Sequence, residues 1–261
     1  MGSEMCIRDR FTGADDTWYT TWLERPVEER GHMRTYTVRD VVGSGADTRL
    51  VIDIVLHDDH GDGHAAAGPG SAWAARASVG DRLVAMTPRR GHGYGGIEFA
   101  PGEARRVLLV GDETALPAIA GVLRDLPPDV VGSAVVEVPL SADVQDIVAP
   151  SGVEVVWLPR DGAPLGSLLH AAAVERLGAA PVAIEVGDDE VDPDLWETPA
   201  YSSSGEDVAP ELAHTEDLYV WIAGESKVVT GLRRVLVKDL GLDRRQVAFM
   251  GYWRLGVSMA G

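Results

Sequence analysis

Six short, mainly apolar runs recur through the second half of the chain, at residues 107–110, 134–138, 153–158, 182–186, 219–223 and 247–250, with helical or loop segments between them. A strand that is apolar almost throughout has no face to offer to water, so such runs belong in a parallel sheet covered by helices on both sides. One helix is expected at about residues 115–126, directly after the first run. A second is expected at about 225–240, where Val228, Leu232, Val235 and Leu236 share a face, Glu225 stands near the N-terminus and Gly241 suits the C′ position.

The first half reads differently. Met33 precedes Arg34-Thr35-Tyr36-Thr37-Val38-Arg39, and its period-two alternation predicts a strand over 34–39 with Arg34 and Tyr36 on one side and Thr35, Thr37 and Arg39 on the other. Such a strand could hold a flat conjugated ring against Tyr36 and an anionic phosphate against an arginine fork. Residues 42–47 supply a turn, 49–57 a second strand and 81–87 another, together predicting an antiparallel barrel. The β-rich segment 17–23 reads either as a further strand or as a loop over the barrel, ended by Pro26.

Residues 91–96 form a glycine-rich loop, and Ala100-Pro101-Gly102-Glu103 reads as an interdomain linker. Residues 1–10 show no periodicity and are expected to be a non-native leader. The predicted organisation is therefore a barrel domain over 11–102 and an α/β domain over 103–261. The acidic, Ser- and Pro-containing stretch 187–216 is expected to be a surface excursion with a short helix.

Charge and cysteine content narrow the chemistry. Lys and Arg total 23 against 41 Asp and Glu, a formal charge of −18 that repels nucleic acid and anionic lipid. Cys6 is the single cysteine, so neither an internal disulfide nor a four-thiolate iron–sulfur cluster can form within one chain. If electrons move here, their carrier is organic. No apolar run spans a bilayer and no apolar export segment opens the chain, so the expected address is the cytoplasm.

Four motifs follow one another in order: Arg34-Thr35-Tyr36-Thr37; Val55-Leu56-His57 with Gly68-Pro69-Gly70-Ser71-Ala72-Trp73-Ala74; Gly111-Asp112-Glu113-Thr114-Ala115-Leu116-Pro117-Ala118-Ile119; and Gly251-Tyr252-Trp253-Arg254-Leu255-Gly256. From about Met33 to the C-terminus the chain resembles the siderophore-interacting proteins, FAD-dependent ferric-siderophore reductases within the ferredoxin-reductase-like flavoproteins. That resemblance implies an FAD-binding β-barrel, a nucleotide-binding α/β domain, NADH or NADPH as reductant and no protein-bound metal. Family members carry about two barrel strands upstream of the first motif, and residues 11–31 leave little chain for them, so the barrel is expected to be incomplete at its N-terminal side.

The resemblance also assigns residues. Arg34 would face the FAD pyrophosphate, with Tyr36 against the isoalloxazine, Thr37 near its reactive N5, and Val38 and His57 beside them; Tyr36 and Thr37 are the catalytic candidates. Strict alternation puts Tyr36 and Thr37 on opposite faces, which leaves open how both reach one ring. Gly68, Gly70, Ser71 and Ala72 would clasp phosphate, with Ser71 as a good N-cap for a short helix. Gly111, Asp112, Thr114 and Ala115, with Gly224 and Glu225, would meet the nicotinamide nucleotide, although the generic G-x-G-x-x-G fingerprint is absent. A 2′-phosphate would need a basic partner such as Arg160, Lys227 or Arg233, and the overall acidity favours NADH.

Trp253 and Arg254, with Arg89 and Arg90, are the candidates to meet an anionic ferric chelate. The cluster His57, Asp58, Asp59, His60 and His64 has ligand-type spacing, but it falls where a strand ends in a Gly/Asp-rich turn, and a solvated surface explains it better. The expected partner is a ferric siderophore and the expected state a monomer. Two other readings stay open: an NAD(P)H-flavin reductase with a different acceptor, and a non-catalytic ferric-siderophore binder.

Overall fold

The computed structural model describes residues 21–22, 24–26, 29, 31–56, 68–85, 99–180, 186–187, 196–198, 201–202 and 217–257. Among these, a seven-stranded sheet forms the centre of the second half. Five of its strands are parallel: β3 (Arg106–Gly111), β4 (Val131–Val138), β5 (Val153–Pro159), β8 (Leu218–Glu225) and β9 (Val247–Trp253).

Both faces of this sheet are buried, which is why its strands carry so few polar residues. Along β8, Tyr219, Trp221 and Ala223 enter one core, which helix α2 (Leu116–Asp125) covers with Leu116, Ile119 and Leu123. Val220 and Ile222 enter the other, covered by α3 (Ser167–Arg176) and α4 (Ser226–Arg233) with Leu169, Val174, Val229 and Leu232. Burying a single Leu or Ile side chain contributes about 1.5–3 kcal/mol, so two such layers give the domain ample stabilisation.

Glu137 breaks the apolar pattern of β4 and has a structural reason. It lies fully buried on the α3 side, where Oε1 accepts the Gly166 N–H at 2.7 Å and Oε2 the Leu169 N–H at 3.0 Å. The carboxylate thus satisfies orphan donors at the start of α3, which has no side-chain cap of its own. Gly166 is required there: its φ is +77°, and a Cβ would meet Val228 Cγ2 at 2.5 Å.

Several expected elements differ from those found. The helix expected at 225–240 is α-helical only over Ser226–Arg233 and continues as a π-helical turn over Arg234–Asp239, with the Leu240 N–H bonded to the Val235 carbonyl. Gly241, at φ +69°, then ends it as expected. Within the acidic stretch, strands β6 (Trp196–Thr198) and β7 (Tyr201–Ser202) form a hairpin that pairs antiparallel with β9. The expected surface excursion with a short helix falls mostly on residues outside those described. Of the expected strand at 182–186, only Val186 is among the described residues, and it is buried.

In the first half the strand predicted at 34–39 begins four residues late. Residues 31–37 are irregular, and β1 (Val38–Val42) pairs antiparallel with β2 (Arg49–Ile52) around a 3-10 turn at Gly45–Asp47. Tertiary contacts of Arg34 and Tyr36, described below, take precedence over their β-type alternation. β2 ends at Ile52, short of the predicted 57, and residues 81–85 hold no strand. The described residues therefore contain a two-stranded antiparallel sheet, and the closed barrel is not seen among them.

Helix α1 (Pro69–Ala74) stands where the glycine-rich motif predicted one. Its N-cap is Gly68, with Pro69 at the first position, and Ser71 lies buried inside the helix; the expectation of Ser71 as the cap is corrected accordingly. The linker is a tight turn fastened to the sheet. The Ala100 N–H donates to the Tyr219 hydroxyl at 3.2 Å, and Phe99 meets the Tyr219 ring edge-on at 5.3 Å.

Candidate functional site

Two groups of predicted site residues come together, one in each half. In the first, Tyr36 lies over Gly70 so closely that a Cβ on Gly70 would run into the Tyr36 hydroxyl, with Arg34 Cγ at 3.9 Å. Residues from the first two motifs, more than thirty positions apart in sequence, thus share one surface. Tyr36 is 39% exposed, and its partial burial raises the phenol pKa despite the nearby Arg34 guanidinium. Arg34 Nη1 donates to the Met33 carbonyl at 2.6 Å, bracing the guanidinium against its own backbone.

Thr37 is half-buried in the irregular segment and Val38 opens β1, 40% exposed. Gly68 and Ala72 are joined by the Ala72 N–H to Gly68 carbonyl bond at 2.9 Å. A partly exposed aromatic, a braced guanidinium and a glycine whose missing side chain lets both come close suit a ring-and-phosphate ligand such as FAD. His57, Arg89 and Arg90 lie outside the described residues, as do His60 and His64. Among the described residues, no cluster of three or more His, Cys, Asp or Glu could hold a metal ion.

The second group lies at the carboxyl edge of the parallel sheet. The chain builds outward from β3 to β4 and β5 on one side and to β8 and β9 on the other, so the topological switch falls between β3 and β8. Crevices at such points are where open α/β sheets take ligands. Here the crevice is narrow, closed even to a water molecule, and lined by Asp112, Glu137, Gly166, Gly224, Glu225 and Val228, among others.

Asp112, immediately after β3, is only 2% exposed and accepts four hydrogen bonds. Oδ1 takes the Thr114 N–H at 2.9 Å and the Thr114 hydroxyl at 2.5 Å; Oδ2 takes the Glu225 N–H and the Trp253 indole N–H, each at 2.8 Å. Burial, reinforced by neighbouring Glu113, pushes the Asp112 pKa up to about 6, while these donors pull the other way. Gly224 leaves the space this carboxylate occupies, since a Cβ there would lie 2.6 Å from Asp112 Oδ2.

Glu225 is buried as well. Its Oε2 caps α4 by accepting the Lys227 and Val228 N–H groups at 2.7 and 3.0 Å, while Oε1 accepts the Leu255 N–H at 3.2 Å. The Ser226 hydroxyl donates to the Trp253 carbonyl at 2.9 Å. The nucleotide-loop residues and the C-terminal motif, which sequence reasoning assigned to separate ligands, are therefore one bonded unit. Gly111 and Ala115 serve packing: Ala115 is fully buried, and a Cβ at Gly111 would meet its Cβ at 2.5 Å.

Beside this unit Arg160, at the end of β5, donates to both Glu113 oxygens, Nη1 at 3.0 Å and Nη2 at 3.1 Å, and to Glu137 Oε1 at 3.2 Å. This Glu113–Arg160–Glu137 cluster escaped sequence reasoning, which took Arg160 as a phosphate candidate. The available signal was the acid inside an otherwise apolar β4. Lys227, at the start of α4, is exposed, and Arg233 stands in its last turn.

An α/β sheet with its crevice beside β3, preceded by an aromatic-arginine-glycine surface, defines the architecture, and comparison supplies the family. The model of the siderophore-interacting protein family matches residues 104–256, and that of the siderophore-interacting FAD-binding domain matches residues 8–92. An uncharacterized protein of Mycobacterium tuberculosis is 34% identical over 239 residues, covering 90% of this chain and 70% of its own length. Ferric vibriobactin reductase of Vibrio cholerae is 27% identical, covering 88% of this chain and 67% of its own. Among solved structures, a siderophore utilization protein from T. fusca superposes with a TM-score of 0.53 at 31% identity, covering 86% of this chain and 67% of its own. The siderophore-interacting protein SipS from Aeromonas hydrophila superposes with a TM-score of 0.57 at 28% identity, covering 87% and 70%. The chain belongs to the siderophore-interacting protein family and carries its FAD-binding domain. Among the described residues no helix is long and apolar enough to cross a membrane.

Proposed function

We propose that this chain is a flavin-dependent ferric-siderophore reductase, with NADH as electron donor and an anionic ferric chelate as acceptor. The observation that carries the reading is the meeting of Arg34 and Tyr36 with Gly70 in a chain whose family members include a protein named ferric vibriobactin reductase. When bound, FAD would supply the chemistry that turns one hydride from NADH, a single electron pair, into two one-electron reductions of Fe(III) chelates, whose Fe(II) product is held far less tightly by hard oxygen ligands.

The chain's own residues bind and position. Arg34 holds the pyrophosphate, the exposed Tyr36 face packs against the flavin ring, Thr37 and Val38 line its edge with His57, and Gly68, Gly70, Ser71 and Ala72 give the phosphates close backbone approach. On this reading these residues sit in an FAD-binding barrel over 11–102, and the nucleotide domain follows from 103. Thr114, half-buried on the loop that Asp112 and Glu225 hold, offers the edge that the nicotinamide nucleotide meets, over the packed Gly111, Ala115 and Gly224. Arg254 and Trp253, with Arg89 and Arg90, receive the chelate, and a basic patch is needed there in a chain of charge −18. NADH is favoured over NADPH because Arg160, a candidate for a 2′-phosphate, already serves two carboxylates. The reading places the protein in the cytoplasm as a monomer.

The test is a visible spectrum of the purified chain with added FAD, followed by anaerobic NADH and then a ferric tris-catecholate. A bound-flavin spectrum that bleaches with NADH and returns on adding the chelate, with Fe(II) trapped by a colour-forming ligand, is expected. A chain that binds no flavin, or whose reduced flavin is not reoxidised by the chelate, would overturn the reading.

A further inference from the structure

The Trp253 indole is not free to swing as a simple surface aromatic. Its N–H is buried against Asp112 Oδ2, its carbonyl accepts from Ser226, and two residues on, the Leu255 N–H donates to Glu225. The chain then turns back: Arg254 and Val257 form an antiparallel bridge, the Val257 N–H donates to the Arg254 carbonyl at 3.2 Å, and Gly256 takes φ +76°. Of the three anchors just named, two come from the start of α4 and Asp112 comes from the β3–α2 loop. Its other oxygen holds Thr114 on that same loop.

We propose that Asp112 is a positioning residue for the C-terminal motif: by gripping the Trp253 indole it fixes the turn that carries Arg254, and it ties that turn to the loop facing the nicotinamide nucleotide. The part concerning Arg254 and the chelate rests on the reductase reading; the grip itself does not. All four groups bonded to Asp112 are donors, so the anion is the form that satisfies them. A proton added to the carboxylate finds an acceptor only if the Thr114 hydroxyl turns round, and the indole, which can only donate, loses a charged partner.

The charged groups around Asp112 set when that happens. Glu113 adjoins it on the loop, Glu225 faces it from the start of α4, and Glu137 on β4 lines the same crevice, with Arg160 of β5 joined to Glu113 and Glu137. Lys227 and Arg254 follow Glu225 and Trp253 in the chain, and His170 of α3 bonds the Val228 carbonyl nearby. Burial first, and the adjoining Glu113 second, hold this carboxyl well above its ordinary range.

The experiment follows the indole N–H of residue 253 by NMR in the full chain labelled with 15N-tryptophan, assigned by its loss in Trp253→Phe. In the wild-type chain this resonance is expected to titrate with a midpoint near pH 6. In Asp112→Asn it is expected to move upfield and lose that titration. A resonance indifferent to pH between 5 and 7.5 overturns the proposal even if the variants fail to fold. As a second arm, kcat/KM for a ferric tris-catecholate is expected to fall about tenfold in Asp112→Asn and in Trp253→Phe, and no further in the double variant. Additive losses would mean that the two residues act separately and would overturn it. Absence of any reductase activity would instead remove the functional reading and leave the NMR titration to decide the grip.

Discussion

Arg160 and Glu113 meet as a two-point pair, both guanidinium nitrogens on both carboxylate oxygens at 3.0 and 3.1 Å, with Glu137 completing the cluster from beneath. A guanidinium so engaged is a poor receptor for a further phosphate, since two carboxylates already neutralise it and repel an incoming anion. We therefore expect kcat/KM for NADH to exceed that for NADPH by about tenfold or more, a difference near 1.4 kcal/mol in transition-state stabilisation. Glu113→Gln should narrow the ratio, and steady-state kinetics with both nucleotides would show it; a wild-type preference for NADPH would sink the argument.

The same cluster bears on stability. Removing Arg160 leaves Glu137, at 0% exposure, with its two backbone donors and no compensating charge. Arg160→Ala is expected to lower unfolding stability by about 3 kcal/mol, in the range for breaking one side of a buried pair. Arg176→Ala, which breaks the exposed pair with Glu154, should leave the denaturation midpoint nearly unmoved. Urea titrations of both variants make the comparison.

Two glycines should respond to alanine with opposite signs. At Gly224 the new Cβ would lie 2.6 Å from Asp112 Oδ2, and φ is +149°, so Gly224→Ala is expected to cost about 2 kcal/mol or more and to disturb the crevice. At Gly121, inside α2, a Cβ would meet nothing within 4 Å, so Gly121→Ala should stabilise by up to about 1 kcal/mol. Thermal unfolding of the two variants reads both signs at once.

Asp112 also makes a pH prediction. Its folded pKa, about 6, lies above the ordinary 3.8, so the native state holds this proton more tightly than the unfolded chain does. The group's contribution to stability is therefore present at low pH and declines as pH rises through the window from about 4 to about 6. The wild-type chain, compared with Asp112→Asn at matched pH, should lose ground across that window by an amount on the order of 3 kcal/mol. A constant difference between the two from pH 4 to 7 would contradict the raised pKa.

For the flavin half, Arg34→Ala should weaken FAD affinity at least tenfold, because the braced guanidinium is the proposed pyrophosphate partner. Fluorescence titration decides it, and unchanged affinity would remove Arg34 from the site.

The parallel sheet was legible because its physics is local and repeated: runs such as Val107 to Val110 admit no exposed face. Gly241 likewise announced the end of a helix before any contact was known. The strand at 34–39 was misplaced for the opposite reason. Arg34 and Tyr36 alternate as a strand would, yet they are held by Gly70, and a contact spanning more than thirty residues leaves no trace in local periodicity. The hairpin of β6 and β7 was missed because β9 offers it an edge, and an edge exists only once the sheet is assembled.

The candidate site divides in the same way. The chain order of residues alone determined which motifs are present, that the second half should be an α/β domain, and, through the single cysteine, that any electron carrier here would be organic. Tertiary structure decided what the acids do. Asp112, Glu137 and Glu225 look alike in sequence as residues near strand ends, but burial leaves each obliged to find donors. It is the donors within reach, the Trp253 indole, the start of α3 and the start of α4 together with the Leu255 N–H, that give each carboxylate its role.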